Sequence, residues 1–290
     1  MKIAVLGSGV MGNGIAQVFA TSGHTVTLVD ISFDVLRKAE ESITKSLTKL
    51  AQKDANLDPV EVKGRLEFTT DKQKIHDANL VIEAITENIE VKKKVFKELD
   101  ELCEPKTILA SNTSSLCISD IAAVTSRKDR VCGMHFFNPV PLMELVEITA
   151  TDETSVETVQ IAVDLVKQMN KQSIHVKDTP LFVVNRLLVP LICEAITLVE
   201  EGTASPADID KAMKLGAHHP IGPLWLADMI GLDTMLNIQE ALFVKTNDSK
   251  YRVPELLREM VSKGELGRKS GKGFYQYYVS SELPTNLQTS

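Results

Sequence analysis

His135 and Glu147 stand twelve residues apart in the run GMHFFNPVPLMELVEI. An imidazole can take a hydroxyl proton near neutral pH while a hydride leaves the same carbon. Arg130 to Met134 reads as a strand, and Pro139 and Pro141 forbid a helix after it, so His135 is expected at a strand-to-loop junction. Glu147 falls on a returning strand, Leu145 to Ile148. A carboxylate inside an apolar strand is uncommon unless paired. Pairing with His135 would fix the tautomer of the ring and favour the imidazolium once the proton arrives. A loop histidine bonded to backbone is the competing reading. Glu144 falls on the opposite strand face and is expected to be solvated.

Two further polar residues could hold a substrate oxygen. Ser114 lies in the turn SNTSS that follows the strand TILA, where Ser115 and Asn112 compete with it and where a serine is often only a helix cap. Asn185 stands in the first turn of a nearly all-apolar segment, Phe182 to Glu201, where a buried amide needs partners. Arg186 beside it reads equally well as a structural cap. A hydrolase pairing of Ser114 with His135 lacks the GxSxG elbow. His218 and His219 have no third ligand at useful spacing, so no metal site is expected. The stretch GRKSGKGFY follows no apolar strand and lacks the full phosphate-loop order, so it reads as a surface loop packed by Phe274 and Tyr275.

The elements that must position these groups begin at KIAVLGSGVMGNGIAQVFATSGHTVTLVD, residues 2 to 30. An apolar strand runs into Gly7, Gly9 and Gly12, a helix follows, and a second strand ends on Asp30. That order is the context in which GxGxxG binds a dinucleotide: one glycine for the turn, one for approach of the pyrophosphate, one for helix packing. Helix N–H groups then face the phosphates. A carboxylate at Asp30 can accept from two ribose hydroxyls and repels a 2′-phosphate, which favours NAD over NADP. Arg37 and Lys38 keep NADP open, and FAD uses a similar fingerprint.

The rest of the chain alternates strand and helix up to Lys177 and is helical beyond Pro180. The fold expected is therefore α/β: an N-terminal Rossmann-like dinucleotide-binding domain, residues 1–182, then an all-helical domain, residues 183–282, and a polar tail, 283–290. A helical hairpin, 33–53 with a short return near 59–63, is inserted in the first domain. Its outer face carries Lys45, Lys49 and Lys53 at four-residue steps, either a solvated stripe or a rail for a phosphate-rich substrate. Strand ends at 83–84 and 109–110 mark the ligand crevice of such a sheet. The helix from Phe182, apolar all round and interrupted by Pro190, is expected to be surrounded by other helices or a second subunit.

A net charge of −7 argues against a general nucleic-acid surface. Four widely spaced cysteines form no CxxC or metal pattern, no apolar run is long enough for a bilayer, and the first residues lack a signal-peptide h-region. A cytoplasmic protein is the expectation.

Taken together, GSGVMGNGIAQ, VIEAITEN, ILASNTSS, GMHFFNPVPLMELVEI, FVVNRLL, GPLWLADMIGLD and GRKSGKGFY resemble the short-chain L-3-hydroxyacyl-CoA dehydrogenases, above all the bacterial members acting on 3-hydroxybutyryl-CoA. The resemblance implies His135 as general base, Glu147 as its orienting carboxylate, and Ser114 and Asn185 as holders of the substrate oxygen. It implies Glu87 and Lys92 near the nicotinamide ribose, and Ser46 and Lys53 as contacts of the CoA phosphate portion. It also implies NAD as cofactor, acetoacetyl-CoA and (S)-3-hydroxybutyryl-CoA as substrates, and a homodimer formed through the helical domain. Trp225 and Glu144 depart from the pattern without removing a catalytic group. The alternatives are an NAD-dependent dehydrogenase of a free 3-hydroxy acid or sugar acid, and a dinucleotide-binding protein without turnover.

Overall fold

The computed structural model describes residues 1–277, so the expected tail at 283–290 lies outside the described residues. Backbone contacts divide the chain into Met1–Phe182 and Val183–Ser290, each with hydrophobic core of its own.

The first unit is built on one eight-stranded sheet. Its strands are β1 (Lys2–Leu6), β2 (Thr25–Val29), β3 (Leu66–Thr69), β4 (Leu80–Glu83), β5 (Ile108–Ser111), β6 (Val131–Phe136), β7 (Leu145–Ala150) and β8 (Gln172–Lys177). They lie in the order β3-β2-β1-β4-β5-β6-β7-β8, all neighbours parallel except β6 against β7. Side chains alternate between the two faces with period two. Ile3 and Val5 pack with Ile15 and Phe19 of α1 (Val10–Thr21) on one face, while Ala4 and Leu6 pack with Phe96 and Leu99 of α4 (Ile89–Leu102) on the other. Burial on both faces explains why these strands read as continuous apolar runs.

The chain winds outward from β1 to β3 and then returns to place β4 on the other side of β1. The ends of β1 and β4 therefore meet, Leu6 opposite Glu83, at the point where winding reverses. Ligand crevices of open parallel sheets form there.

The helical hairpin consists of α2 (Phe33–Ala51) and α3 (Pro59–Gly64). Leu36, Ala39, Ile43 and Leu47 bury one stripe of α2 at three- and four-residue steps, and the Ser32 hydroxyl accepts from Asp34 N to start it. Asp58 caps α3, with Pro59 in the first turn. Helix α5 (Ile118–Ala122) has no counterpart in the sequence reading, because five residues are too few to display a 3.6 period. Helix α6 (Val156–Gln168) starts at the Ser155 cap, whose hydroxyl accepts from Thr158 N.

The second unit is helical: α7 (Val184–Glu200), α8 (Pro206–Gly216), α9 (Pro223–Ile230), α10 (Leu232–Thr246) and α11 (Glu255–Ser262). Helix α7 begins two residues later than Phe182, because Leu181 and Phe182 both have positive φ, 64° and 56°, which no right-handed helix accommodates. It buries Val189, Ile192, Cys193 and Ile196 but leaves Leu187 69% exposed, so it is not enclosed on every side within the chain. Gly231, with φ 102°, separates α9 from α10. Phe274 and Tyr275 form no strand; the pairing nearby is limited to isolated bridges of Lys272 with Gly267 and Gln276. No described helix is long and apolar enough to cross a membrane.

Candidate active site

Gly7, at φ 93°, turns the chain out of β1, and a Cβ on Gly12 would lie 1.7 Å from the Gly7 carbonyl oxygen. The two glycines thus permit one close approach of turn and helix. Gly9, the N-cap of α1, has open space where its Cβ would be, which leaves room for a phosphate against the helix N–H groups. A cavity of about 600 Å³ beside them is lined by Leu6, Gly7, Gly9, Asp30, Ile31 and Ile85 among others. These residues fit a dinucleotide.

Asp30 is more engaged than its type suggested. Its Oδ2 accepts from both Ser8 N (2.6 Å) and Ser8 Oγ (2.7 Å), and its Oδ1 accepts from Ile31 N (2.7 Å). A carboxylate offers about four acceptor sites. One therefore remains, on Oδ1, so the expectation of two ribose hydroxyls on Asp30 is reduced to one while Ser8 holds its place. Arg37, the guanidinium nearest in sequence, pairs with Asp34 at 3.5 Å.

His135 is the fifth residue of β6 rather than a residue of the junction after it, because the ladder with β7 continues through Phe136. In that antiparallel pair His135 stands directly opposite Glu147, so both side chains emerge on one face. His135 Nδ1 lies 2.7 Å from Glu147 Oε2, with both residues buried. An ionised carboxylate only accepts, so it selects, in the neutral ring, the tautomer with the proton on Nδ1 and the lone pair on Nε2. The rings of Phe137 (4.5 Å between centroids) and Phe182 (5.7 Å) flank the imidazole. Phe136 N donates to Asn112 Oδ1 at 2.9 Å, tying the end of β6 to the end of β5.

Ser114 belongs to a turn gathered by Glu87. Glu87 Oε1 accepts from Thr113 Oγ1 (2.6 Å), Ser114 N (2.9 Å), Ser114 Oγ (3.3 Å), Ser115 N (3.0 Å) and Ser115 Oγ (3.0 Å). Burial pushes the Glu87 carboxyl up, but the Lys92 charge and these hydrogen bonds outweigh it and hold the group below its ordinary value. Lys92 is 1% exposed, enclosed between Glu83 Oε1 at 2.6 Å and Glu87 Oε2 at 3.4 Å. Glu83 is itself fully buried.

On the hairpin, Ser46 lies on α2 and Lys53 in the turn just past its end, and they share a cavity of about 230 Å³ with Lys49, Leu50, Pro139 and Leu142. Lys45 does not line it. Among the described residues, neither Lys49 nor Lys53 is paired with a carboxylate. Asn185 is the second residue of α7, in the helical unit, and is half-buried. Arg186 Nε donates to the Tyr251 hydroxyl at 3.0 Å, and its guanidinium lies over the Tyr251 ring. Glu144 is exposed, just before β7. Trp225 is exposed beside Lys214 and Leu215 in a groove of the helical unit, its N donating to Asp210. Gly267 and Gly273 of GRKSGKGFY make room for Asp228, which accepts from Phe274 N and Tyr275 N, so that loop wraps an aspartate.

Sequence reasoning passed over Glu83 and Ser8, and weighed Asn112 only as a rival of Ser114, not as the tie between β5 and β6. Glu83 carried a usable signal, an acid ending the otherwise apolar strand LVIE. Ser8 and Asn112 carried none, since their roles depend on contacts far along the chain.

Comparison with known proteins places two family descriptions on the chain. "3-Hydroxyacyl-CoA dehydrogenase, NAD binding domain" matches residues 2–179, and "3-hydroxyacyl-CoA dehydrogenase, C-terminal domain" matches residues 182–277. A 3-hydroxybutyryl-CoA dehydrogenase of Clostridioides difficile is 47% identical, covering 96% of this chain and 99% of the relative. The human mitochondrial hydroxyacyl-coenzyme A dehydrogenase is 46% identical over 95% of this chain and 90% of its own. Among solved structures, (S)-3-hydroxybutyryl-CoA dehydrogenase from Ralstonia eutropha superposes with a TM-score of 0.93 at 48% identity, covering 96% of this chain and 99% of that one.

Proposed function

The chain belongs to the 3-hydroxyacyl-CoA dehydrogenase family, and from that premise we propose that it interconverts (S)-3-hydroxybutyryl-CoA and acetoacetyl-CoA with NAD as cofactor. It is an NAD-dependent oxidoreductase. The observation that carries the chemistry is the 2.7 Å contact of His135 Nδ1 with the fully buried Glu147.

NAD, when bound, supplies the hydride acceptor. Gly7 and Gly12 let the turn close against the helix, Gly9 leaves room for its pyrophosphate, and Asp30 offers one acceptor to its adenosine ribose. His135 Nε2, the nitrogen not committed to Glu147, takes the proton of the 3-hydroxyl, and Glu147 stabilises the imidazolium so formed. In the reverse direction His135 returns that proton to the alcohol oxygen. Ser114 and Asn185 are assigned to the substrate oxygen, and Glu87 organises the turn that presents Ser114. Lys92 acts on the nicotinamide side through Glu87, since its own ammonium is enclosed. Ser46 and Lys53 are assigned to the CoA phosphates, and Lys53, which pairs with no carboxylate among the described residues, is suited to that assignment.

We assign residues 1–182 to the cofactor and the helical unit to substrate binding and to a homodimer. The exposed Leu187 and Leu215 on that unit support association, which light scattering tests directly. Four free cysteines suit a reducing compartment such as the cytoplasm. The function is tested by following NADH oxidation with acetoacetyl-CoA and resolving the configuration of the product. NADH-dependent formation of the S alcohol is the expected result. Folded protein that binds NADH but leaves acetoacetyl-CoA unreduced overturns the reading.

A further inference from the structure

Glu83 is the most enclosed ionisable group of the crevice that the mechanism above leaves unused. It is the last residue of β4, at 0% exposure, and its two oxygens accept from three different elements. Oε1 accepts from Ile85 N at 2.7 Å and from Lys92 Nζ of α4 at 2.6 Å, while Oε2 accepts from Ser111 Oγ at the end of β5, also at 2.7 Å. A carboxylate with no access to water needs such neutralisation and bonding to persist. Lys92 in turn faces Glu87, whose other oxygen gathers Thr113, Ser114 and Ser115.

The geometry fixes a division of labour. Lys92 has one close partner, Glu83 at 2.6 Å, and one looser partner, Glu87 at 3.4 Å. Because Glu83 satisfies the ammonium, Glu87 is free to keep Oε1 on the serine turn. Without a carboxylate at 83, the enclosed ammonium would have Glu87 alone as counter-charge, and burial strengthens that attraction. Glu87 would then be drawn toward α4 and away from Ser114.

We propose that Glu83 is a positioning residue for hydride transfer, holding Lys92 so that Glu87 keeps the Thr113–Ser115 turn in its working shape. This inference rests on the dehydrogenase reading and concerns the rate of turnover more than the affinity for the CoA thioester.

The test compares the parent, Glu83→Gln and Glu83→Asp at saturating NADH. Glu83→Gln keeps the shape and removes the charge, and its kcat for acetoacetyl-CoA reduction is expected to fall at least tenfold, with KM changing less than threefold. Glu83→Asp keeps the counter-charge that holds Lys92 and is expected to recover to within about fivefold of the parent. A purely structural role would lower thermal stability and leave the kcat of the folded Glu83→Gln near the parent value. The inference is overturned by a folded Glu83→Gln within twofold of the parent kcat, or by a Glu83→Asp no faster than Glu83→Gln. Where Glu83→Gln does not fold, Glu83→Asp decides alone: a kcat within tenfold of the parent supports the inference and a lower one overturns it. An inactive parent would count against the dehydrogenase reading itself, an outcome distinct from all of these.

Discussion

His135 and Glu147 face each other across the single antiparallel pair of the sheet, with Nδ1 and Oε2 2.7 Å apart and Glu147 wholly buried. The backbone ladder sets this meeting, because residues directly opposite on neighbouring strands share a face. The carboxylate fixes where the imidazole carries its first proton and leaves Nε2 for the substrate.

Glu147→Gln tests that orientation. A glutamine amide can donate to Nδ1 and so stabilise the other tautomer, which leaves Nε2 protonated. A fall in kcat of about 10²- to 10⁴-fold is expected, the range lost with a general base. NADH affinity, measured by fluorescence titration, should stay within twofold. An unchanged kcat would remove Glu147 from the mechanism.

Asp30→Ala tests the choice of cofactor. The substitution removes the charge that opposes a 2′-phosphate, so the ratio of kcat/KM for NADH over NADPH should fall by about tenfold or more, the equivalent of 1.4 kcal/mol. It also releases Ser8 N and Ser8 Oγ, so affinity for both cofactors should weaken. A ratio that does not move would place the discrimination elsewhere.

Lys53→Ala tests the phosphate assignment. Loss of a charge-assisted hydrogen bond costs about 1.5–3 kcal/mol, so KM for acetoacetyl-CoA should rise roughly ten- to a hundredfold. A truncated thioester lacking the nucleotide should show no such change. Lys45→Ala, outside the cavity, should behave as the parent.

Acid stability follows from Glu87 and Asp100. Burial pushes both carboxyls up, but hydrogen bonds and a neighbouring cation outweigh it: Lys92 for Glu87, and for Asp100 the Ser126 N–H and Arg127. Each is therefore held below its ordinary value. A carboxyl depressed in the folded state contributes stability that is present above its unfolded pKa, and loses it as pH falls through the folded one. Urea midpoints should hold from neutrality down to about pH 4.5 and fall below that, where ordinary carboxylates begin to take protons. Asp100→Asn should flatten this fall. A profile in Asp100→Asn parallel to the parent's would contradict the assignment.

Much of this site could be read from residue order alone, and the reasons are physical. The glycine fingerprint and the alternation of strand and helix are local signals. Each acts within a few residues, and each appears where its chemistry requires. The pairing of His135 with Glu147 was also accessible, since strand direction and spacing constrain which side chains can meet. Glu83 was not recognised: its partners Lys92 and Ser111 lie 9 and 28 residues away, and an acid at a strand end looks like any solvated terminus until the neighbouring strand covers it. The start of α7 was misplaced because positive φ at Leu181 and Phe182 has no signature in apolar residue types. Asp30 showed its carboxylate but concealed that Ser8 already occupies half of it.

The most direct measurement sets the initial rate of NADH oxidation with acetoacetyl-CoA beside that with free acetoacetate, in the parent and in His135→Asn. Rapid turnover of the CoA thioester alone is expected, falling about 10²- to 10⁴-fold in the variant while NADH binding persists. Equal rates with free acetoacetate, or a parental kcat in His135→Asn, would contradict a CoA-specific dehydrogenase working through His135.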